Sequence, residues 1–320
     1  MVISRRGLLQ AGIGWLPWRA MPRLTMQLDW HLNAQFAGLC VAESLGYYRR
    51  AGLVVNLKAA EPAMDVVQTV VAQPQTLGCA EESLILTAQS EGIDIVAIAA
   101  MLQASPLALM SLPQQSLTHP RQLIGKRIGV HSDGRKAVEL VLYSHNIDPQ
   151  QLDLVDIPYD KKYQRLSQGE FDAVQCYALD EPIEFAQRSG QVPTVLPLKD
   201  YGFDAYSQVI FAPTSLVMDQ PQNIQHFLSA TFAGWRWAIE HPSTTANLLV
   251  EQYVEPDYQN IAYQQASLEI LADYVLPKDA PRLGIIDARR WHESAKQLQQ
   301  AGLIAALPPM AMSVNDNLWP

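Results

Sequence analysis

Residues 28–53 read LDWHLNAQFAGLCVAESLGYYRRAGL. The short apolar strand predicted over 25–28 stops at Asp29-Trp30. Residues 36–51 then place Phe36, Leu39, Cys40, Ala42 and Leu45 broadly at helical spacing, and Gly46 and Gly52 punctuate the last turns. A strand thus runs into a helix through a short polar joint that carries a tryptophan, a histidine and an asparagine. In an open α/β sheet such a joint sits at the carboxyl end of a strand, where ligands bind.

Outward from this stretch the same rhythm continues. Strands are predicted over 54–59, 76–79 and 93–101, separated by helices over 64–72 and 83–90. A strand at 107–111 follows, and the rhythm restarts with strands at 127–130, 154–157, 173–176 and 194–196. A longer apolar strand spans 207–212. From residue 221 the pattern is helical throughout, over 224–240, 244–254, 261–274 and 287–301. Alternation of this kind predicts an α/β fold with largely parallel sheets. We read two lobes joined by a hinge of two crossing strands: lobe 1 over 24–108 and 212–320, and lobe 2 over 109–211.

Composition narrows the function. The 320 residues are 48% hydrophobic and 17% charged, enough apolar material for a large core. The net charge of −9 lacks the basic footprint that nucleic acid requires. The three cysteines, Cys40, Cys79 and Cys176, are far apart and outside any metal-binding spacing, so they read as small buried residues. No metal and no cofactor is expected. The motifs G-x-S-x-G, H-E-x-x-H and G-x-x-x-x-G-K-[ST] are all missing. Residues 1–23 read as an export signal or a disordered start. Arg5-Arg6 precede an apolar stretch over 7–18 that is too short to span a bilayer, and the pair resembles a twin-arginine motif.

Several residues at strand exits are candidates for binding. Trp30 offers a flat aromatic face, or it fills the core. Asn33 offers a donor and an acceptor to a ligand, or it caps the following helix. Glu181 follows the strand at 173–176 and either accepts from a ligand amine or is a solvated loop acid. Tyr177 and Tyr206 are candidates for the rim. In GVHSDGRKAVEL, residues 129–140, Ser132 and Gly134 precede a helix whose N–H groups suit a polar ligand group, although Ser132 or Asp133 equally serves as a plain cap. His131 is a weaker candidate beside them.

Residues 29–53 also carry a family pattern. They resemble the opening signature of the binding proteins for pyrimidine precursors of thiamine, which serve ABC uptake systems. Asp29, Trp30, Asn33, Gly38, Val41, Ala42, Gly46, Tyr47, Tyr48, Gly52 and Leu53 match it. Leu32 stands where the family has proline and Phe36 where it has histidine, at positions taken to face the ligand. LIGKRIGV (123–130), QGEFDAVQCYALDEPIEFAQ (168–187) and QNIQHFLSATFAGWRWAIEHP (222–242) extend the resemblance over nearly the whole chain. It implies a two-lobed periplasmic binding protein fold of type II. It also implies an aminopyrimidine ligand stacked on Trp30 and bonded by Asn33 and Glu181, a membrane permease as partner, and a periplasmic location.

A related synthase shares this fold and is the alternative, with a binder of a flavin precursor or an organic anion as another. The synthase needs a Schiff-base lysine and a donor histidine four residues apart. Those positions align here with Ala80 and Leu84, and no lysine or histidine occurs between Lys58 and His119. The synthase's cysteine motif would fall over 205–212, which reads AYSQVIFA. A non-enzymatic binder is therefore expected.

Overall fold

The structure, a computed structural model, describes residues 21–61, 64–131, 134–158, 162–278, 280, 282–309, 313–315 and 318. The export signal expected over 1–23 lies almost wholly outside the described residues, as does Ser132. Among the described residues no helix is long and apolar enough to cross a membrane.

The strands in chain order are β1 (Arg23–Gln27), β2 (Val54–Lys58), β3 (Thr76–Ala80), β4 (Ile95–Leu102) and β5 (Leu107–Ser111). They continue with β6 (Arg127–Val130), β7 (Asp153–Asp156), β8 (Ala173–Tyr177), β9 (Thr194–Pro197) and β10 (Ser207–Pro213). They form two five-stranded sheets, ordered β2-β1-β3-β10-β4 and β7-β6-β8-β5-β9. Each sheet is parallel except for one strand. β10 runs antiparallel to β3 and β4, and β5 antiparallel to β8 and β9.

The crossings explain both exceptions. β4 leaves the first sheet at its carboxyl end, so β5 must start there and run away from it. β9 returns the same way and hands the chain to β10. Expectation and structure differ in where the lobes divide. The hydrogen bonds of β10 lie in the first sheet over all of 207–213, and Leu107 and Ala108 pair in the second. The crossings are therefore 103–106 and 198–206, not the boundaries at 108/109 and 211/212. A continuous apolar run does not reveal which sheet will receive it, because that depends on hydrogen-bond partners far away in sequence.

The helix expected over 36–51 is split into Ala37–Ser44 and Tyr47–Arg50, because Gly46 turns left-handed (φ 72°) between them. One apolar core lies under the first sheet and packs Leu24, Met26 and Phe36 against Phe227 and Trp235. A smaller one in the second lobe holds Met110, Phe171 and Phe185. A third core passes between the lobes and joins Phe211 and Val209 to Leu107, Ile128 and Leu196, with Trp291 from the C-terminal helix Ala288–Gln300.

Candidate functional site

A cavity lies between the two sheets. Its wall is built from strand ends. Asp29, Trp30 and Gln35 follow β1, and His131 follows β6. Gln175, Cys176 and Tyr177 end β8, with Asp180 and Glu181 just beyond. Gln208 comes from the start of β10, and Lys162 opens the helix after β7. Every strand that reaches the cavity does so at its carboxyl end, except β10, which begins there because it has just crossed.

The second-lobe wall is an ionic cluster. Lys162 pairs with Glu181, and both side chains are almost fully buried. Lys162 Nζ also lies 3.2 Å from His131 Nε2 and donates to the Gln175 carbonyl at 3.4 Å. His131 Nδ1 lies 2.9 Å from the Ile157 carbonyl. A carbonyl can only accept, so Nδ1 carries the proton and Nε2 accepts from the ammonium. The second carboxylate oxygen of Glu181 accepts the Tyr177 N–H at 2.5 Å.

Behind the cavity a second carboxylate, Glu81, is buried at the end of β3. It accepts from the hydroxyls of Tyr177, Ser207 and, at 2.9 Å, Ser105. Burial, followed by the charges of Glu81 and Asp29, drives the Tyr177 hydroxyl far above its ordinary pKa, so it stays a donor. Burial also pushes the Cys176 thiol up to about 12, which leaves it unreactive at neutral pH.

Asp180 spans the two lobes. It is 2% exposed and accepts from Asn33 Nδ2 at 3.1 Å, from Gln35 Nε2 at 2.6 Å and from the Tyr263 hydroxyl. Asn33 and Gln35 come from the joint after β1, and Tyr263 from the helix Ile261–Val275. Burial raises the Asp180 carboxyl above its usual range, and the bonds from Tyr263 and Gln35 pull it back.

Four of the residues named from the sequence therefore meet in one cavity: Trp30, His131, Tyr177 and Glu181. Others are placed differently. Asn33 is 1% exposed. Its carbonyl oxygen caps the short helix at Gln35 N (2.9 Å) while its amide reaches Asp180, so both ends are used within the protein. Tyr206 is not at the rim. It is buried beside the second crossing, where its hydroxyl accepts from Asp287 N at 2.9 Å. Gly134 packs on Gln175 outside the cavity; a Cβ there would come within 2.3 Å of the Gln175 amide. Phe36 and Leu32, taken as ligand-facing, instead pack into the first-lobe core.

Glu181 lines the cavity as expected of a ligand contact, yet each of its oxygens already has a protein partner. Sequence reasoning missed Asp29, Gln35, Lys162, Gln175, Asp180 and Gln208. Position one or two residues past an apolar run was the available signal for Asp29 and Asp180. Nothing local distinguishes Lys162 from any other helix-opening lysine.

The chain was compared with known proteins. It is 23% identical to the formylaminopyrimidine-binding protein of Halalkalibacterium halodurans over 278 residues, covering 86% of this chain and 84% of the relative. It is also 23% identical to a 4-amino-5-hydroxymethyl-2-methylpyrimidine phosphate synthase of Legionella pneumophila, covering 75% and 77%. Among solved structures, the alkanesulfonate-binding protein of Xanthomonas axonopodis pv. citri superposes with a TM-score of 0.72 at 13% identity, covering 93% and 99% of the two chains. The architecture is thus the periplasmic binding protein fold. The model of the NMT1/THI5-like family matches residues 33–245, more than half of the length, and the chain belongs to that family.

Proposed function

We propose that this protein captures a small aminopyrimidine, a precursor of thiamine, and delivers it to the permease of an ABC importer. The cavity's unequal charge supports this most directly. Among the described residues three carboxylates, Asp29, Asp180 and Glu181, face it with one ammonium, Lys162, which is itself engaged by Glu181, His131 and Gln175. Such a wall favours a ligand rich in N–H donors and disfavours an organic anion. Trp30 supplies an aromatic surface for the pyrimidine ring.

The reading is of a binder and not an enzyme. Ala80 and Leu84 occupy the positions where the resemblance puts a lysine and a histidine, and Ala80 is fully buried. Lys162 is held as a cation by its carboxylate partner, whereas Schiff-base formation needs a neutral amine. Export to the periplasm through the Arg5-Arg6 signal completes the proposal. The partners are the ligand and the permease, with no nucleic acid.

Mass spectrometry of small molecules released from natively purified protein tests the reading. A formylated or hydroxymethylated aminopyrimidine is expected. A flavin, a sulfonate, or a pyridoxal adduct on a lysine would overturn it.

A further inference from the structure

Gln208 combines three features that no structural role in the fold uses. It is 1% exposed and lines the cavity. Its backbone sits in the left-handed region, φ 47°, inside β10, a conformation that costs a long side chain energy and clusters at binding sites. Its carbonyl oxygen Oε1 is buried, and among the described residues no donor reaches it.

The orientation of the amide follows from its neighbours. Nε2 faces Asp29 Oδ2 at 3.4 Å and the Tyr177 hydroxyl oxygen at 3.5 Å. Asp29 Oδ1 already receives the Cys79 thiol at 3.8 Å, and the Tyr177 hydroxyl gives its hydrogen to Glu81. The side facing Asp29 and Tyr177 is therefore a place for a donor. Turning the amide over would set Oε1 against the Asp29 carboxylate. Nε2 stays on that side, which leaves Oε1, on the other side of an amide that lines the cavity, buried and without a donor among the described residues. A buried acceptor left without a donor is costly, and a ligand that brings one recovers the loss.

We propose that Gln208 is the specificity-determining residue of this cavity: its Oε1 accepts an N–H from the ligand, and so distinguishes an amino from an oxo substituent on the ring. This rests on the aminopyrimidine reading and adds to it which residue reads the amine. An oxo group at the same place would set two acceptors against each other, and discrimination by a buried hydrogen-bonding group is steep.

Titration calorimetry with 4-amino-5-hydroxymethyl-2-methylpyrimidine and its 4-oxo analogue tests the proposal on the full chain. Wild type should prefer the amine by about tenfold or more. In Gln208→Met, which keeps length and loses the acceptor, the preference should fall to about threefold or less through weaker binding of the amine. Gln208→Asn keeps an amide, tolerates the left-handed backbone and draws the oxygen back, so it should also lose preference even if the Met variant does not fold. Wild-type binding of the amine with preference unchanged in a folded variant overturns the role of Gln208 alone. Binding of neither pyrimidine by wild type overturns the aminopyrimidine reading and this inference with it.

Discussion

Two of the places that join the lobes of this protein are made of different materials. At one, a single carboxylate, Asp180, crosses from the second lobe to three polar donors, Asn33, Gln35 and Tyr263. At the other, the chain itself crosses twice, and a shared apolar core fills the junction. Arg290 ties both crossings together. It donates to the Gln103 carbonyl at 2.8 Å and to Asp204 at 2.6 Å, and its guanidinium lies 4.0 Å over the Tyr206 ring. Water can replace the hydrogen bonds of the first junction at little net loss, but it cannot replace the apolar contacts of the second. The contrast assigns reversible contact to Asp180 and permanent contact to the crossings. Changes at the crossings should therefore appear in stability, and changes around Asp180 in affinity.

Trp291→Ala should give the largest effect. The indole is fully buried in the core between the lobes and donates to Ser313 Oγ at 2.8 Å. Its loss should cost about 3–5 kcal/mol in denaturant unfolding, with ligand affinity of the folded fraction unchanged. A large loss of affinity without loss of stability would break the comparison.

Glu82 comes next. It lies beside the second crossing, accepts the Tyr206 N–H at 2.5 Å, and is pushed up to about 8, chiefly by burial. The folded state therefore binds this proton more tightly than the unfolded state does. Stability from this group is complete below about pH 4.5 and is lost as pH rises through about 8. Each tenfold change in proton affinity is worth about 1.4 kcal/mol, so the decline over this window should be measurable. Thermal melts at several pH values should show the midpoint falling as the solution becomes alkaline. Glu82→Gln, which keeps the acceptor and cannot ionise, should flatten that trend. An equal slope in both proteins would remove Glu82 from the account.

At the other junction, Asp180→Ala removes the acceptor of three donors at once. Ligand affinity should fall by about thirtyfold, near 2 kcal/mol, because the closed arrangement loses its polar cross-link. The melting midpoint should move little, since the freed donors meet water when the lobes part. Small-angle scattering should show a larger radius of gyration in the variant without ligand. A melting loss as large as that of Trp291→Ala would mean that the junction at Asp180 is structural.

The difference between the junctions also marks what the sequence could disclose. Strand and helix order was readable because apolar spacing is a local property, and the Asp29-Trp30 joint was found because it interrupts that spacing. The crossings were misplaced by a few residues because β10 is equally apolar whichever sheet receives it. Asn33 and Glu181 were singled out, but their partners, Asp180 and Lys162, lie 147 and 19 residues away. Spacing along one chain carries no record of such pairings. Gln208 left no mark because its only distinguishing features are a backbone angle and an oxygen without a donor.

Trp30 gives the smallest effect and isolates the cavity from both junctions. Its indole is half-buried, lines the cavity and meets His31 edge-on at 5.2 Å. Stacking contributes about 0.5–1.5 kcal/mol beyond buried area, so Trp30→Phe should weaken an aminopyrimidine by a few fold. Trp30→Ala also loses the area and should reach about tenfold. Neither change should alter the melting midpoint or the scattering profile of the ligand-free protein. The matching change at Glu181 is a poorer probe, since Glu181→Ala leaves Lys162 buried beside a missing partner and should destabilise the second lobe as well. Graded affinity across Trp, Phe and Ala with constant stability is the signature of a stacking platform; equal affinity in all three would move the ligand to another wall of the cavity.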